Sequence, residues 1–160
     1  IIPDEFFWTY LYISSPLANF QNTVNENKVV FAYENLPKMV ITEMLPDYIS
    51  KRVAPLFNLH KEKATLISPY LITSSYYTVS YKYLGWIGPL ILYLFLNCYI
   101  IAYCALLRIY KNFAIIGIAL LTTIVYLNIF DNMITFAGLS FQLLYPLIFS
   151  LEACRKLIGF

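Results

Sequence analysis

The chain has 160 residues, of which 60% are hydrophobic and 12% charged, with a net charge of +2 and a mean hydropathy of +0.65. Ordinary soluble domains carry about 45–50% apolar and about 25% charged residues, so disorder is excluded, a water-solvated globule is disfavoured, and lipid is the solvent that fits. The small net charge gives no footprint for nucleic acid, and none is expected as a partner.

The chain opens on Ile1-Ile2-Pro3-Asp4-Glu5 rather than on Met, without the basic start of a signal peptide. It therefore reads as the C-terminal part of a longer protein. Residues 1–15 are aromatic and apolar but too short to cross a bilayer. They read as the end of a truncated span or as a re-entrant segment.

Residues 16–83 form the one sizeable polar region, read as a large extracytoplasmic (periplasmic) loop. Pro16, Pro37, Pro46, Pro55 and Pro69 punctuate it. Proline suits the first turn of a helix and ends longer ones. Asn35-Leu36-Pro37 predicts one helix start, with Met39, Val40, Met44 and Leu45 on a face. Pro46-Asp47 predicts another, with Ile49, Val53, Leu56 and Phe57 at helical spacing. Both read as short amphipathic helices lying on a membrane or packed over its spans.

Three apolar stretches follow, at 84–107, 113–130 and 133–151. The first two are uncharged. At about 1.5 Å per residue the first reaches roughly 36 Å, enough for a bilayer. Pro146 interrupts the third, which a membrane helix tolerates when neighbours satisfy the freed carbonyl. Short links, Arg108 to Asn112 and Asp131-Asn132, predict an antiparallel meander of three transmembrane helices and an all-α membrane fold. Arg108, Lys111, Arg155 and Lys156 place the first link and the tail at 152–160 in the cytoplasm. The Asp131-Asn132 link and the 16–83 loop then lie outside. Cys98, Cys104 and Cys154 have neither metal-ligand nor disulfide-framework spacing and read as small apolar fillers. No nucleotide or zinc motif is present, so no cofactor and no metal are expected. Asn97, Asn128 and Gln142 in the spans suit interhelical hydrogen bonds better than a transport path.

The loop carries the reactive inventory: Glu43, Asp47, Lys51, Arg52, His60, Lys61, Glu62 and Lys63. Arg and Lys match the oxygens of a phosphate leaving group. A carboxylate or imidazole suits a general base for a hydroxyl nucleophile. A solvated helix with ordinary charges accounts for each residue singly. Fifteen tyrosines are present, and Tyr70, Tyr76, Tyr77, Tyr81 and Tyr83 crowd the approach to the first span. They fit an interfacial aromatic belt or, as for Tyr77, a ring stacked on a sugar.

Tyr12-Ile13-Ser14-Ser15-Pro16-Leu17-Ala18-Asn19-Phe20 resembles the Y-x-x-S-P-x-x-N-F/L stretch of bacterial oligosaccharide repeat-unit (O-antigen and capsule) polymerases. Tyr83-Leu84-Gly85-Trp86-Ile87-Gly88 resembles their D-F/L-G-x-x-G landmark, with Tyr83 where the aspartate stands. The resemblance implies a multi-pass glycosyltransferase of the bacterial inner membrane. Its substrate would be an undecaprenyl-pyrophosphate-linked oligosaccharide, with membrane lipid and a chain-length regulator protein as partners. It also implies outer-loop Arg and acid or imidazole chemistry. On this chain that gives Arg52 on pyrophosphate or a sugar carboxylate, His60 or Glu43 as base, Lys51 and Lys61 as phosphate contacts, and Ser15, Asn19 and Tyr77 at the substrate. A glycan flippase or assembly protein, and an O-antigen ligase-like transferase, are the alternatives. The absence of charge inside the spans disfavours the flippase.

Overall fold

The structure is a computed structural model that describes residues 3–109 and 111–158, with side chains through 151. The chain is all-helical, with no strand among the described residues.

The first helix, α1, runs Asp4–Glu26. Asp4 and Glu5 in its first turn complement the positive end of the helix dipole. The expected boundary between 15 and 16 falls inside this helix, because Pro16 does not break it. Proline removes the N–H that would bond the Tyr12 carbonyl. The Ser15 hydroxyl replaces it, donating to that carbonyl at 3.3 Å.

Residues 36–44 form α2, in which Leu36–Met39 passes into a π-helical turn at Val40–Met44. Here α2 buries Met39 completely. Asp47–Val53 forms α3, extended by a 3-10 turn, Ala54–Phe57. Both helices start where the prolines predict. Their apolar faces divide differently: Ile49 and Val53 are half-buried, whereas Leu56 and Phe57 lie exposed.

Helix α4, Thr78–Leu84, precedes the long apolar helix α5, Ile87–Ile109. The expected single helix from 84 is broken at Gly85, whose φ of +58° favours glycine and whose missing Cβ makes room for the Val29 carbonyl. At Gly88 a Cβ would collide with the Ser80 carbonyl, so α4 folds directly onto the start of α5.

Helix α6, Ala114–Leu127, follows a 3-10 turn at Lys111–Phe113. Helix α7 is Ala137–Ser140, and α8, Leu144–Ile158, follows a 3-10 turn. Leu92, Leu96, Tyr103, Leu107, Leu121 and Ile124 form the core between α5 and α6. The Tyr103 hydroxyl donates to the Leu143 carbonyl at 2.8 Å and ties in the segment before α8. Among the described residues α5 alone is long and apolar enough to cross a membrane. The other two apolar stretches form shorter helical runs, Lys111–Leu127 and Ala137–Leu151.

The second link spans residues 128–136 rather than two residues, and the third apolar helix starts at Ala137 rather than at Met133. Asn128 explains this: its Oδ1 accepts the Met133 N–H at 2.9 Å and turns the chain back after α6. The expected tail at 152–160 begins inside α8. The side chains of Cys154, Arg155 and Lys156 lie outside the described residues.

Gly88→Ala forces α4 and α5 apart and is expected to cost about 1–3 kcal/mol, read as a lower Tm of the purified protein in detergent. Gly138→Ala, where the Cβ meets only the Phe136 ring, is the control. An unchanged Tm for Gly88→Ala would refute the close α4–α5 approach.

Candidate functional site

Ser15, Asn19 and Thr23 recur every four residues along one face of α1 and are buried. This polar stripe receives the irregular segment 65–73, which turns at residues 68–71 and runs antiparallel to the helix. Asn19 Nδ2 donates to the carbonyls of Leu71 (2.6 Å) and Thr73 (2.7 Å), while its Oδ1 accepts the Ile67 N–H at 2.9 Å. Thr23 Oγ1 accepts the Thr65 N–H at 3.0 Å, and the Ser15 and Thr73 hydroxyls meet at 2.6 Å. A segment without strand partners thus satisfies its backbone groups on helix side chains. Ser15 and Asn19, expected at the substrate, are engaged in holding this loop.

The loop's return path carries Lys61 into position. Tyr83 on α4 accepts the Glu62 N–H at 2.9 Å, and Lys82 donates to the Lys63 carbonyl at 2.8 Å. Lys61 Nζ then lies 3.5 Å from Glu43 Oε1. From the other side the 128–136 link enters: Asn132 Nδ2 donates to the Glu43 carbonyl at 2.7 Å and reaches its Oε2 at 3.4 Å. Thr135 accepts the Asp47 N–H at 2.8 Å, and Phe130 accepts that of Ser74 at 3.1 Å. Two distant stretches of chain therefore converge on Glu43.

The Glu43 side chain is 1% exposed, whereas that of Lys61 is 47% exposed. Burial pushes the Glu43 carboxyl above the ordinary carboxylate range, opposed by the Lys61 charge and the Asn132 amide. Burial also raises the Tyr83 hydroxyl. Lys61 and Asp131 stand between two clefts. One, of about 360 Å³, is lined by Lys61, Lys63, Ser74 and Asp131 among others. The second, of about 210 Å³, includes Asp47, Lys61, Asp131, Asn132 and Thr135. The wider cleft sets Lys61 and Lys63 beside Glu62 and Asp131; the second offers two carboxylates and an amide beside Lys61, suited to hydroxyl groups.

The remaining expected site residues lie apart from Glu43 in their contacts. Arg52, on the last turn of α3, and His60 are exposed, and their side chains make no hydrogen bond or ion pair among the described residues. Lys51 pairs with Asp47 at 3.6 Å on the surface of α3. Tyr77 lines a separate apolar groove of about 430 Å³ with Ile13, Leu17, Phe20 and Leu96, which shares no lining residue with the two clefts. Asn132 and Asp131 enter the site without having been singled out for it. Their signal was an acid and an amide inside an otherwise apolar half of the chain. No cluster of three metal-ligating side chains occurs among the described residues. No family model, curated protein or solved structure matches the chain.

Asn19→Ala leaves buried backbone groups unpaired, at about 1–3 kcal/mol each. It is expected to lower Tm and to open 65–73 to limited proteolysis. A variant with unaltered stability and protease resistance would refute the holding role.

For Glu43 the sign is set by its raised folded-state pKa against an ordinary 4.5. The folded protein binds the proton more tightly, so stability rises as pH falls from neutral through the raised value and levels off below 4.5. Glu43→Gln, which keeps an acceptor for Asn132, is expected to remove that rise in melting curves taken from pH 7 to 4. A rise of undiminished size in the variant would assign it to other groups.

Proposed function

We propose that this chain joins lipid-linked oligosaccharide repeat units, as the O-antigen and capsule polymerases it resembles do, with Glu43 as the general base. The observation that carries the reading is the buried Glu43 carboxylate, held between Lys61 and Asn132 behind the wall shared by two clefts. In this reading a hydroxyl of the incoming unit lies in the Asp47–Asn132 cleft and attacks the anomeric carbon of the donor glycan. The carbon–oxygen bond to the pyrophosphate breaks, its electron pair leaves with the pyrophosphate, and the hydroxyl proton passes to Glu43. Lys61 and Lys63 offset the charge that develops on the leaving group. Arg52 is a further cation for an anionic substrate group.

Membrane placement belongs to the same proposal. Its support is the apolar surface on helices that would otherwise face water. Phe6, Phe7 and Trp8 on α1, Leu90 and Leu94 on α5, Ile115 and Ile118 on α6, and Ile148 and Phe149 on α8 are all exposed. Only 22% of the most apolar window of α5 is buried, unlike the core helix of a soluble protein. In this reading α5 and the two shorter apolar runs cross the inner membrane as a multi-pass unit. The segment 16–83 and the 128–136 link lie outside, and the C-terminus lies in the cytoplasm. The short α6 run, at 17 residues from Lys111 to Leu127, sits at the lower limit of about 17–25 for a span.

Glu43→Gln in a cell that depends on this gene is expected to lower glycan polymerisation by about 10²–10⁴-fold. On a gel of surface polysaccharide the ladder disappears, a single repeat unit remains, and protein level holds. Wild-type chain lengths in the variant would overturn the assignment. Loss of the single unit as well would point to export, as for a flippase. Free polymer that fails to reach its lipid would point to a ligase. Arg52→Ala, an exposed change, is expected to alter stability by no more than about 0.5 kcal/mol while shortening the glycan. Unaltered chain lengths would remove Arg52 from the reaction.

A further inference from the structure

The ion pair at the centre of the site has unequal members. Glu43 is enclosed, whereas Lys61 reaches it from a half-exposed position at the end of a flexible side chain. The contact is loose at 3.5 Å, and Glu43 Oε1 has no hydrogen-bond partner. Lys61 also lines both clefts, so its ammonium has another place to go. The wider cleft brings Lys63 alongside it, so a phosphate oxygen there would meet two cations, with two carboxylates on the same lining: Asp131, and Glu62, which is paired with Lys82.

We propose that a phosphate or pyrophosphate group entering the wider cleft takes Lys61 away from Glu43, and that this exchange converts Glu43 from one half of an ion pair into a free base. The inference rests on the assignment of Glu43 as base and adds how the base is switched on. The physical reason is competition for one cation. A phosphate dianion keeps much of its solvent in an open cleft and carries more charge than a carboxylate. Once Lys61 leaves, the carboxylate stays buried without its counter-charge, and a proton becomes the remaining means of neutralising it.

The other groups around Glu43 do not supply a substitute. Asn132 from the 128–136 link is a neutral donor. Asp131 on the same link is a like charge that favours protonation further. Tyr76 and Tyr83, before and on α4, have hydroxyls that burial keeps protonated. Lys82 is engaged with Glu62 at 3.6 Å and with the Lys63 carbonyl. A proton drawn from a substrate hydroxyl is therefore accepted most readily when the donor's phosphate is already seated. That order keeps the base paired until the donor is seated.

The test uses the full chain in nanodiscs of neutral phosphatidylcholine, with inorganic pyrophosphate as the probe. The protonated-carboxyl stretch is followed by infrared difference spectroscopy against pH, and Glu43→Gln identifies the band. Pyrophosphate is expected to raise the titration midpoint of Glu43 by about one pH unit, a tenfold change in proton affinity. Lys61→Met is expected to give the raised midpoint without pyrophosphate and no further movement with it. Pyrophosphate that binds without moving the midpoint, pyrophosphate that does not bind, or a Lys61→Met midpoint equal to wild type would each overturn the exchange. A midpoint already raised in phosphatidylglycerol nanodiscs would support the exchange and name a lipid headgroup as its anion. The readout needs no glycan. Normal polymerisation by Glu43→Gln therefore removes the proposed reaction without touching the exchange, and a fixed midpoint removes the exchange without touching the reaction.

Discussion

A carboxylate placed out of water must have partners, and that constraint at Glu43 organises the polar half of this protein. The π-helical turn at Val40–Met44 turns Glu43 inward. Asn132 supplies an amide from the link after α6, and Lys61 supplies a charge from the returning loop. Neither partner is near Glu43 in sequence. Satisfying it therefore requires the apolar helices and the loop to be docked in one arrangement. A pair with one member enclosed is weak support for stability, since desolvation of the carboxylate offsets much of the attraction. Its consequence is specificity of arrangement, with the acid enclosed behind Lys61 and Asn132, which line the clefts.

The loop itself is stabilised by an unusual substitution of side chains for strands. Segment 65–73 has no regular structure, yet Asn19 satisfies three of its backbone groups and Thr23 and Ser15 satisfy or brace others. Ser15 also repairs the helix at Pro16, so one Ser-Pro pair both preserves α1 and anchors the loop. Tyr83 and Lys82 then fix the residues around Lys61 from α4. The glycines at 85 and 88 bring α4 against both Val29 and the start of α5. Lys61 is thus a half-exposed side chain on a well-held backbone, which is the combination an exchange between two anions requires.

The two proposed roles use different physical properties of the same residue pair. General-base chemistry needs a carboxyl whose proton affinity has been moved toward neutral pH. Burial does that, and Lys61 partly undoes it. The resting pair then holds the site inactive, and a phosphate group in the wider cleft releases it. The apolar groove bordered by Tyr77 and Asn128 stands apart from these steps.

Local physics written in the chain determined the helical class, the helix starts at Leu36, just before Pro37, and at Asp47, just after Pro46, the existence of three apolar helical runs, and the candidacy of Glu43 and Lys61. These are consequences of periodicity, proline geometry and residue chemistry, which act over a few positions. Tertiary structure decided the rest. Whether Pro16 ends a helix depended on a serine hydroxyl reaching the freed carbonyl. Whether 84 continues into α5 depended on a positive φ at Gly85, where the Val29 carbonyl fills the space of a Cβ. Whether 131–132 was a two-residue link depended on the Asn128 side chain. Above all, which charged loop residues meet was decided by packing: Glu43 is brought to Lys61 and to Asn132, 89 residues away in sequence, while the Arg52 and His60 side chains stay exposed. Pairing over that distance is fixed by the packing of the whole chain, to which a local pattern is blind.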